Sequence, residues 1–135
     1  MTRTKLLIVL MICLSLALIP VAGCKPNGTS ANKVITENNN GSTITIKNGD
    51  TLTLKLNAQS WDGGYSWKID MSSGLCLIES KNDQIYKGRM GSPMIQSWKI
   101  KAVTNGIQQI TGIYKRSWEQ STDYDETFTV NVEVI

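Results

Sequence analysis

The chain has 135 residues and combines 14 Lys and Arg with 11 Asp and Glu, so its formal net charge is +3. It contains no histidine, which excludes Ser-His-Asp and Cys-His nucleophilic machinery and histidine-based metal sites. The basic residues do not gather into the stripe that neutralises nucleic-acid phosphates, so the sequence also argues against a nucleic-acid partner.

The N-terminal segment has the composition of an export signal. A basic start precedes the apolar run LLIVLMICLSLALIPVAGC at residues 6–24. A basic start, a short apolar run and a small-residue exit are typical of a secretory signal. The ending VAGC resembles the bacterial lipobox, in which the cysteine thiol is alkylated with diacylglycerol and becomes the first residue of the mature protein. The sequence therefore predicts a signal peptide over residues 1–23, lipidation of Cys24 and a lipid-anchored location on the extracytoplasmic face of the cell envelope.

An uncleaved membrane helix is the alternative interpretation of this segment. Leu6–Ile19 is shorter than the roughly 20 residues that span a bilayer core, and Pro20 and Gly23 interrupt the run. Cleavage would also remove Arg3 and Lys5 and leave 12 basic against 11 acidic residues, a mature protein that is almost neutral.

The three cysteines are expected to have different fates. Cys13 leaves with the signal and lipidation uses Cys24, so Cys76 is predicted to be unpaired and no internal disulfide is expected. Cys76 lies in the apolar run at residues 75–78 and is predicted to be a small buried side chain.

Residues 24–42 are predicted to be the lipidated cysteine and a flexible tether. The stretch KPNGTSANKVITENNNGS is rich in Asn, Gly, Ser and Thr, and such a composition buries too little apolar surface to offset the chain entropy lost on folding. Val34 and Ile35 are the pair within it that could form a first edge strand.

From Thr43 onward apolar and polar residues alternate with a period of two, which predicts β-strands. The residues predicted to face inward are Ile44, Ile46, Leu52, Leu54, Leu56, Tyr65, Trp67, Ile69, Trp98, Ile100, Ala102, Phe128, Val130, Val132 and Val134, and a fourth strand is predicted from Leu75 to Ile78. A further short strand is predicted at Ile85 and Tyr86, and another over residues 107–114. Seven to eight short strands with turns between them predict an all-β fold, an immunoglobulin-like β-sandwich over residues 43–135.

Three loops contain the candidate binding residues: SWDGGYSW at residues 60–67, GRMGSPM at residues 88–94 and YKRSWE at residues 114–119. Trp61 and Trp118 fall in polar loop sequence, where a large ring is exposed unless it meets a partner. Exposed Trp and Arg side chains are typical of binding hot spots.

One acidic cluster lies close to the third loop. Asp123, Asp125 and Glu126 are interpreted as solvated charge, with a weak calcium site as the alternative.

The same loops carry a resemblance to the chagasin family of cysteine-protease inhibitors. Residues 64–67 are similar to the second half of that family's motif Asn-Pro-Thr-Thr-Gly-Tyr-x-Trp. Residues 91–93 and the strand after them resemble its Gly-rich loop, which is followed by an aromatic strand and a Lys-Ala step. Residues 114–119 match Tyr-x-Arg-Pro-Trp-Glu except that Ser117 replaces the proline, and residues 127–132 match its Thr-Phe-Thr-Val-x-Val ending.

The resemblance implies reversible, tight-binding inhibition of papain-like cysteine proteases by three loops that wedge into the active-site cleft. The implied protease-binding residues are Trp61, Asp62, Gly63, Gly64, Tyr65, Gly91, Ser92, Pro93, Arg116, Ser117 and Trp118. Trp118 is expected to be an aromatic anchor and Arg116 a polar contact. No cofactor, no metal and a monomer are expected.

Two departures from the family motif stand at the loop tips. Residues 60–63 replace Asn-Pro-Thr-Thr, so the stiffening proline and the threonine that faces the protease nucleophile are missing, and Ser117 lacks the fixed φ of proline. Both changes bear on potency rather than on the fold. The alternative function is a surface-tethered adhesion or envelope module that uses the same loops to bind a protein or a glycan, and enzymatic activity is a third possibility with little support.

Overall fold

The computed structural model describes residues 24, 30–59 and 63–135, which form two four-stranded β-sheets. The strands are β1 (Asn32–Ile35), β2 (Thr43–Ile46), β3 (Thr51–Ala58), β4 (Tyr65–Met71), β5 (Leu75–Gln84), β6 (Met94–Ala102), β7 (Gly106–Arg116) and β8 (Glu126–Val134). One sheet has the order β1-β3-β6-β5 and the other β2-β8-β7-β4. The predicted all-β sandwich is confirmed. Within the described ranges, no helix has the length and apolar character needed to cross a bilayer.

The core lies between the two sheets and contains most of the inward-facing residues that the alternation predicts. Its fully buried members include Leu52, Leu54, Leu56, Ile100, Val130 and Val132, and Ile110 on β7, for which no inward position was predicted, joins them. Gly112 on β7 lets the side chains of Ile69 and Trp67 pack closely against the backbone of β7. A Cβ at that position would lie 2.8 Å from Cδ1 of Ile69 and 3.2 Å from Cε3 of Trp67. Tyr65 and Ile69, for which the alternation also predicts an inward position, are half-buried.

The folded part of the chain begins earlier than the predicted tether allows. Asn32–Ile35 pairs in parallel with β3, with Ile35 opposite Leu54, and Ile35 is fully buried. A 3-10 helix at Glu37–Asn39 then carries the chain to the other sheet, where β2 pairs in parallel with β8. The tether prediction is therefore wrong for residues 32–42, because one buried isoleucine and a parallel ladder are enough to order an otherwise polar segment. The edge strand considered at Val34 and Ile35 is present.

Strand β5 also differs from the prediction. It is one ten-residue strand with an irregularity between Leu77 and Glu79, whereas Ile85 and Tyr86, predicted to form a separate strand, lie in the bend that follows it. The backbone N–H of Ile85 donates to the carbonyl of Pro93 across this loop at 3.0 Å.

The structure joins Cys24 to Cys76 in a disulfide, which differs from the prediction that Cys76 is unpaired. Their Cα atoms are 6.2 Å apart although 52 residues separate them in the chain, a proximity that spacing along the sequence does not reveal. The sulfur of Cys24 that the sequence assigns to lipid is therefore within bonding reach of a second thiol.

The connections between strands gather at two opposite ends of the sandwich. The β3–β4 loop (residues 59–64), the β5–β6 loop (85–93) and the β7–β8 loop (117–125) share one end, here called the loop end. The turns at residues 47–50, 72–74 and 103–105 share the other, the base end, where Val103 N–H donates to the carbonyl of Gly74 at 2.9 Å.

Candidate functional site

The loop end brings together most of the residues that the sequence assigned to protease binding. Residues from the β3–β4 and β5–β6 loops and from the adjoining ends of β3, β7 and β8 line a cleft of about 470 Å³, namely Asn57, Ala58, Gln59, Gly91, Pro93, Tyr114 and Glu126. The backbone N–H of Gln59 donates to the Tyr114 hydroxyl at 2.8 Å, which ties the β3–β4 loop to β7. Trp61 and Asp62, also predicted as contacts, lie outside the described residues.

Trp118 lies directly against the backbone of Gly64. Gly64 has a φ of +70°, and a Cβ built on it would lie only 2.2 Å from Cη2 of the Trp118 ring. Glycine is therefore required at this position for two reasons, the left-handed backbone and the close approach of the ring. The rest of the indole faces solvent, since Trp118 is 70% exposed. The arrangement presents a large apolar side chain whose inner side is already packed.

Arg116 connects the same two loops. Its Nε donates to the carbonyl oxygen of Gly63 at 2.7 Å, its guanidinium lies 4.7 Å from the centre of the Tyr65 ring, and its Nη1 is 3.1 Å from Oε1 of Glu119. Hydrogen bonds from a guanidinium are stronger than neutral ones, and its planar fork suits this three-way geometry. The sequence predicted Arg116 to be a polar contact for the protease, whereas its described partners are within the chain. Arg116 therefore positions Gly63, the residue next to the Gly64 backbone on which Trp118 packs.

A stack of aromatic rings supports the loop end from below. The Tyr114 ring lies 5.6 Å from that of Tyr65 and 5.3 Å from that of Trp67, measured between ring centres. The indole N–H of Trp67 donates to the carbonyl of Asn57 at 2.8 Å, and its backbone N–H donates to Oε1 of the buried Gln96 at 2.7 Å. Gln96 belongs to the opposite sheet, so these bonds connect both layers of the sandwich beneath the loops. These contacts therefore hold in place the strand ends that carry the loops of the site.

The β5–β6 loop presents its glycine and proline but not its serine. Gly91 and Pro93 are exposed, whereas Ser92 is only 5% exposed and its hydroxyl accepts a hydrogen bond from the backbone N–H of Tyr86 at 3.0 Å. A contact of Ser92 with a protease stays a prediction. The Ser92 side chain closes the loop. Ser117, in the β7–β8 loop, is exposed as a contact residue requires.

The structure also exposes apolar side chains that the sequence analysis did not assign to the site. Met90 in the β5–β6 loop is 99% exposed and Tyr124 in the β7–β8 loop is 98% exposed. The sequence feature that selected Trp118, a large apolar residue in a polar loop, is also present at Met90 and Tyr124. Both enlarge the apolar surface of the loop end.

One of the acidic residues near Tyr124, Asp125, has a structural role in a turn. The carboxylate of Asp125 accepts a hydrogen bond from the backbone N–H of Thr122 at 2.7 Å. No group of three or more Asp, Glu or Cys residues that could hold a metal ion occurs in the part of the chain that the structure describes. The calcium alternative therefore gains no support from the arrangement.

Replacing Arg116 should weaken the activity of the loop end with little change in stability. We expect Arg116→Ala to weaken binding of the target by about 1–3 kcal/mol, because it removes a charged hydrogen bond to Gly63 and the cation over Tyr65. Arg116→Lys should recover only part of this, since lysine keeps the charge but not the planar fork. Inhibition constants and melting temperatures are the measurements. Lys68→Ala, which removes an exposed cation from the face of β4, should leave both unchanged. Equal losses for the two alanine variants would reduce the role of Arg116 to net charge.

Comparison with known proteins agrees with this geometry. The family model described as "Chagasin family peptidase inhibitor I42" matches residues 45–132. Amoebiasin-1 of Entamoeba histolytica is 35% identical over 101 residues, which cover 74% of this chain and 97% of that protein. The solution structure of Amebosin shares 34% identity and a TM-score of 0.64, covering 78% of this chain and all of the other. The crystal structure of the cysteine protease inhibitor EhICP2 from Entamoeba histolytica shares the fold, with a TM-score of 0.71, 22% identity, and coverage of 81% of this chain and all of the other. The chain belongs to the chagasin family of peptidase inhibitors.

Proposed function

We propose that this protein is a reversible inhibitor of papain-like cysteine proteases and that its loop end fills the active-site cleft. The observation that carries the proposal is the exposed Trp118 ring, held against Gly64 at the end where all three long loops meet. Aromatic side chains that are rigid before binding lose little entropy on binding and dominate the energetics of many interfaces. Membership of an inhibitor family supports the same conclusion.

The mechanism is occlusion rather than chemistry. The loops would occupy the volume that a substrate chain needs, with Trp118, Met90 and Tyr124 supplying apolar contact. The carbonyl oxygen of Gly63 already accepts a hydrogen bond from Arg116, so this peptide group is held within the inhibitor. With Gly63 held in this way, the first loop would block the cleft without offering a substrate-like bond to the nucleophile.

Internal contacts hold Gly63 and Gly64, the last residues of the first loop, in place before binding. A loop that is flexible before binding must lose conformational entropy on binding, and prior ordering removes that cost. Here Gly63 is held by Arg116 and Gly64 packs against Trp118. We therefore expect useful affinity despite the departure from the family motif at residues 60–63.

Protection of the catalytic cysteine is the experiment that tests occlusion. A papain-type protease is treated with iodoacetamide in the presence of increasing amounts of the domain, residues 25–135, and alkylation of its active-site thiol is followed by mass spectrometry. The proposal predicts that alkylation slows in step with occupancy and that the domain is recovered uncleaved. Inhibition with unprotected alkylation would place binding outside the cleft. Neither inhibition nor protection would favour the adhesion module.

We further propose that the protein is exported and anchored to the membrane through diacylglycerol on Cys24. The apolar run at residues 6–24 and its ending VAGC support this. In the lipidation step the Cys24 sulfur forms a thioether bond to a glyceryl carbon of a phospholipid, the carbon–oxygen bond to the headgroup phosphate breaks, and the phosphate leaves with the thiol proton. The same sulfur cannot also be bonded to Cys76. The lipidated protein would therefore carry Cys76 as a free thiol.

Two cysteine variants should separate anchoring from the disulfide. Cys24→Ser is expected to move the protein out of the membrane fraction or leave it unprocessed, because the only alkylation site at the cleavage point is gone. Cys76→Ser should remain in the membrane fraction like the parent. Denatured, unreduced parent protein from membranes should react with a maleimide at Cys76. A Cys24→Ser variant that is matured and retained like the parent would rule out the lipid anchor.

A further inference from the structure

We infer that the domain is attached to the bilayer by its base end, so that the loop end is the part farthest from the membrane. The inference rests on the proposed lipidation of Cys24 and adds the orientation in which that anchor presents the inhibitory surface. It follows from where the chain enters the sandwich, how few residues separate Cys24 from β1 and where Cys24 lies.

The chain enters the sandwich at the base end. Asn32, the first residue of β1, pairs with Thr51, the first residue of β3, and the backbone N–H of Thr51 donates to the carbonyl of Ala31 at 2.9 Å. Strand β3 then runs the length of the sheet to Ala58 at the loop end. Any anchor that lies upstream of Ala31 therefore pulls on the base end.

Cys24 itself lies at this end. Its partner Cys76 is the second residue of β5 and pairs with Lys101, which in turn pairs with Thr51. Cys76, Lys101, Thr51 and Asn32 thus form one row across the sheet, next to the turns of the base end. In the structure Cys24 therefore lies beside the base end, and lipidation removes the disulfide but not the short connection to Asn32.

The connection from Cys24 to the sandwich is too short to let the domain turn over easily. Eight residue steps separate Cys24 from Asn32, and a chain of that length spans at most about 29 Å even when fully extended. The nine residues of β8 span about 30 Å from one end of the sandwich to the other. A connection that is no longer than the sandwich favours orientations in which the base end, not the loop end, faces the lipid. The predicted tether of residues 24–42 would have imposed no such preference.

The surface of the base end is compatible with a position near lipid headgroups. Val103 and Ile107 are exposed there, and the exposed Lys47 belongs to a turn at the same end. Apolar side chains and a cation at one end suit the boundary between headgroups and acyl chains. The loop end needs its own apolar residues for the protease, so the two ends have separate roles.

Fluorescence quenching from the membrane tests the orientation directly. The full chain is produced in lipidated form with Cys76→Ser, and a single labelling site is introduced as Thr104→Cys at the base end or Ser121→Cys in the β7–β8 loop. Both positions are exposed. Each protein is labelled with the same fluorophore in vesicles whose phospholipid headgroups carry a nitroxide quencher. The inference predicts several-fold stronger quenching at position 104 than at position 121.

A lengthened tether is the matched control. Inserting a Gly/Ser segment after Lys25 should keep the protein on the vesicles and bring the quenching at the two positions closer together, since the domain is then free to rotate. Equal quenching in the parent, or stronger quenching at position 121, overturns the orientation while leaving the anchor and the inhibition intact. Failure of both labelled proteins to sediment with vesicles overturns the lipid anchor itself, and inhibition assays of the same samples show independently whether the loops are functional.

Discussion

Trp67→Ala is expected to lower the free energy of unfolding by about 3–5 kcal/mol, the cost typical of removing a large buried aromatic side chain. Trp67 is only 6% exposed and packs against Tyr114 and the backbone of Gly112. The substitution also removes the indole N–H that donates to the carbonyl of Asn57. For a domain of about a hundred residues this loss corresponds to a fall in melting temperature of roughly 15–30 °C.

Thermal and urea unfolding of the soluble domain measure this effect. Trp67→Phe is the control, because it keeps an aromatic ring in the core but loses the hydrogen bond to Asn57 and part of the packing. It should be clearly more stable than Trp67→Ala and less stable than the parent. A Trp67→Ala variant that melts within a few degrees of the parent would contradict the central place of Trp67 in the core and beneath the loops.

Gly64→Ala is expected to be the most damaging single-methyl change to inhibition. Its Cβ would overlap the Trp118 ring at 2.2 Å, so the ring must leave its position or the β3–β4 loop must shift. The left-handed backbone at Gly64 adds about 1–2 kcal/mol of strain for any L-residue. We expect inhibition to weaken by at least tenfold, about 1.4 kcal/mol, with the core still folded.

Gly41→Ala provides a matched control for the strain. Gly41 has a similar φ of +77°, but a Cβ there meets nothing within 4 Å, and the residue belongs to the connection between the 3-10 helix and β2. Gly41→Ala should therefore cost stability while inhibition of the folded protein stays at the parent level. In a Trp118→Ala background Gly64→Ala should lose most of its additional effect, because the clash is absent. Full inhibition by Gly64→Ala alone would show that the packing of Trp118 on Gly64 is unimportant.

Strand positions were the most predictable part of the fold. Residues such as Leu52, Leu54 and Leu56 face the core because a period of two places alternate side chains on one face, a rule that needs only local sequence. The rule failed where long-range pairing decided the outcome. β1 is ordered by its ladder to β3, and Ile85 is apolar yet lies in a bend outside the sheet.

The composition of the candidate site could be predicted better than the roles of its residues. Loop sequence and family resemblance selected Gly64, Arg116 and Trp118, and the structure brings them together. That Arg116 supports the tip depends on a contact with Gly63 across 53 residues, and that Ser92 is buried depends on how its loop folds back. The proximity of Cys24 and Cys76 likewise depends on the tertiary structure and cannot be predicted from local sequence.

The measurement that tests the central claim most directly is a titration of papain-type protease activity with the soluble domain, residues 25–135. The loop arrangement predicts complete loss of substrate hydrolysis at saturating domain, with activity recovered on dilution and with substrate competing for the same site. If the folded domain leaves every protease of a papain-type panel fully active at micromolar concentration, the loop end does not close the active-site cleft of these enzymes.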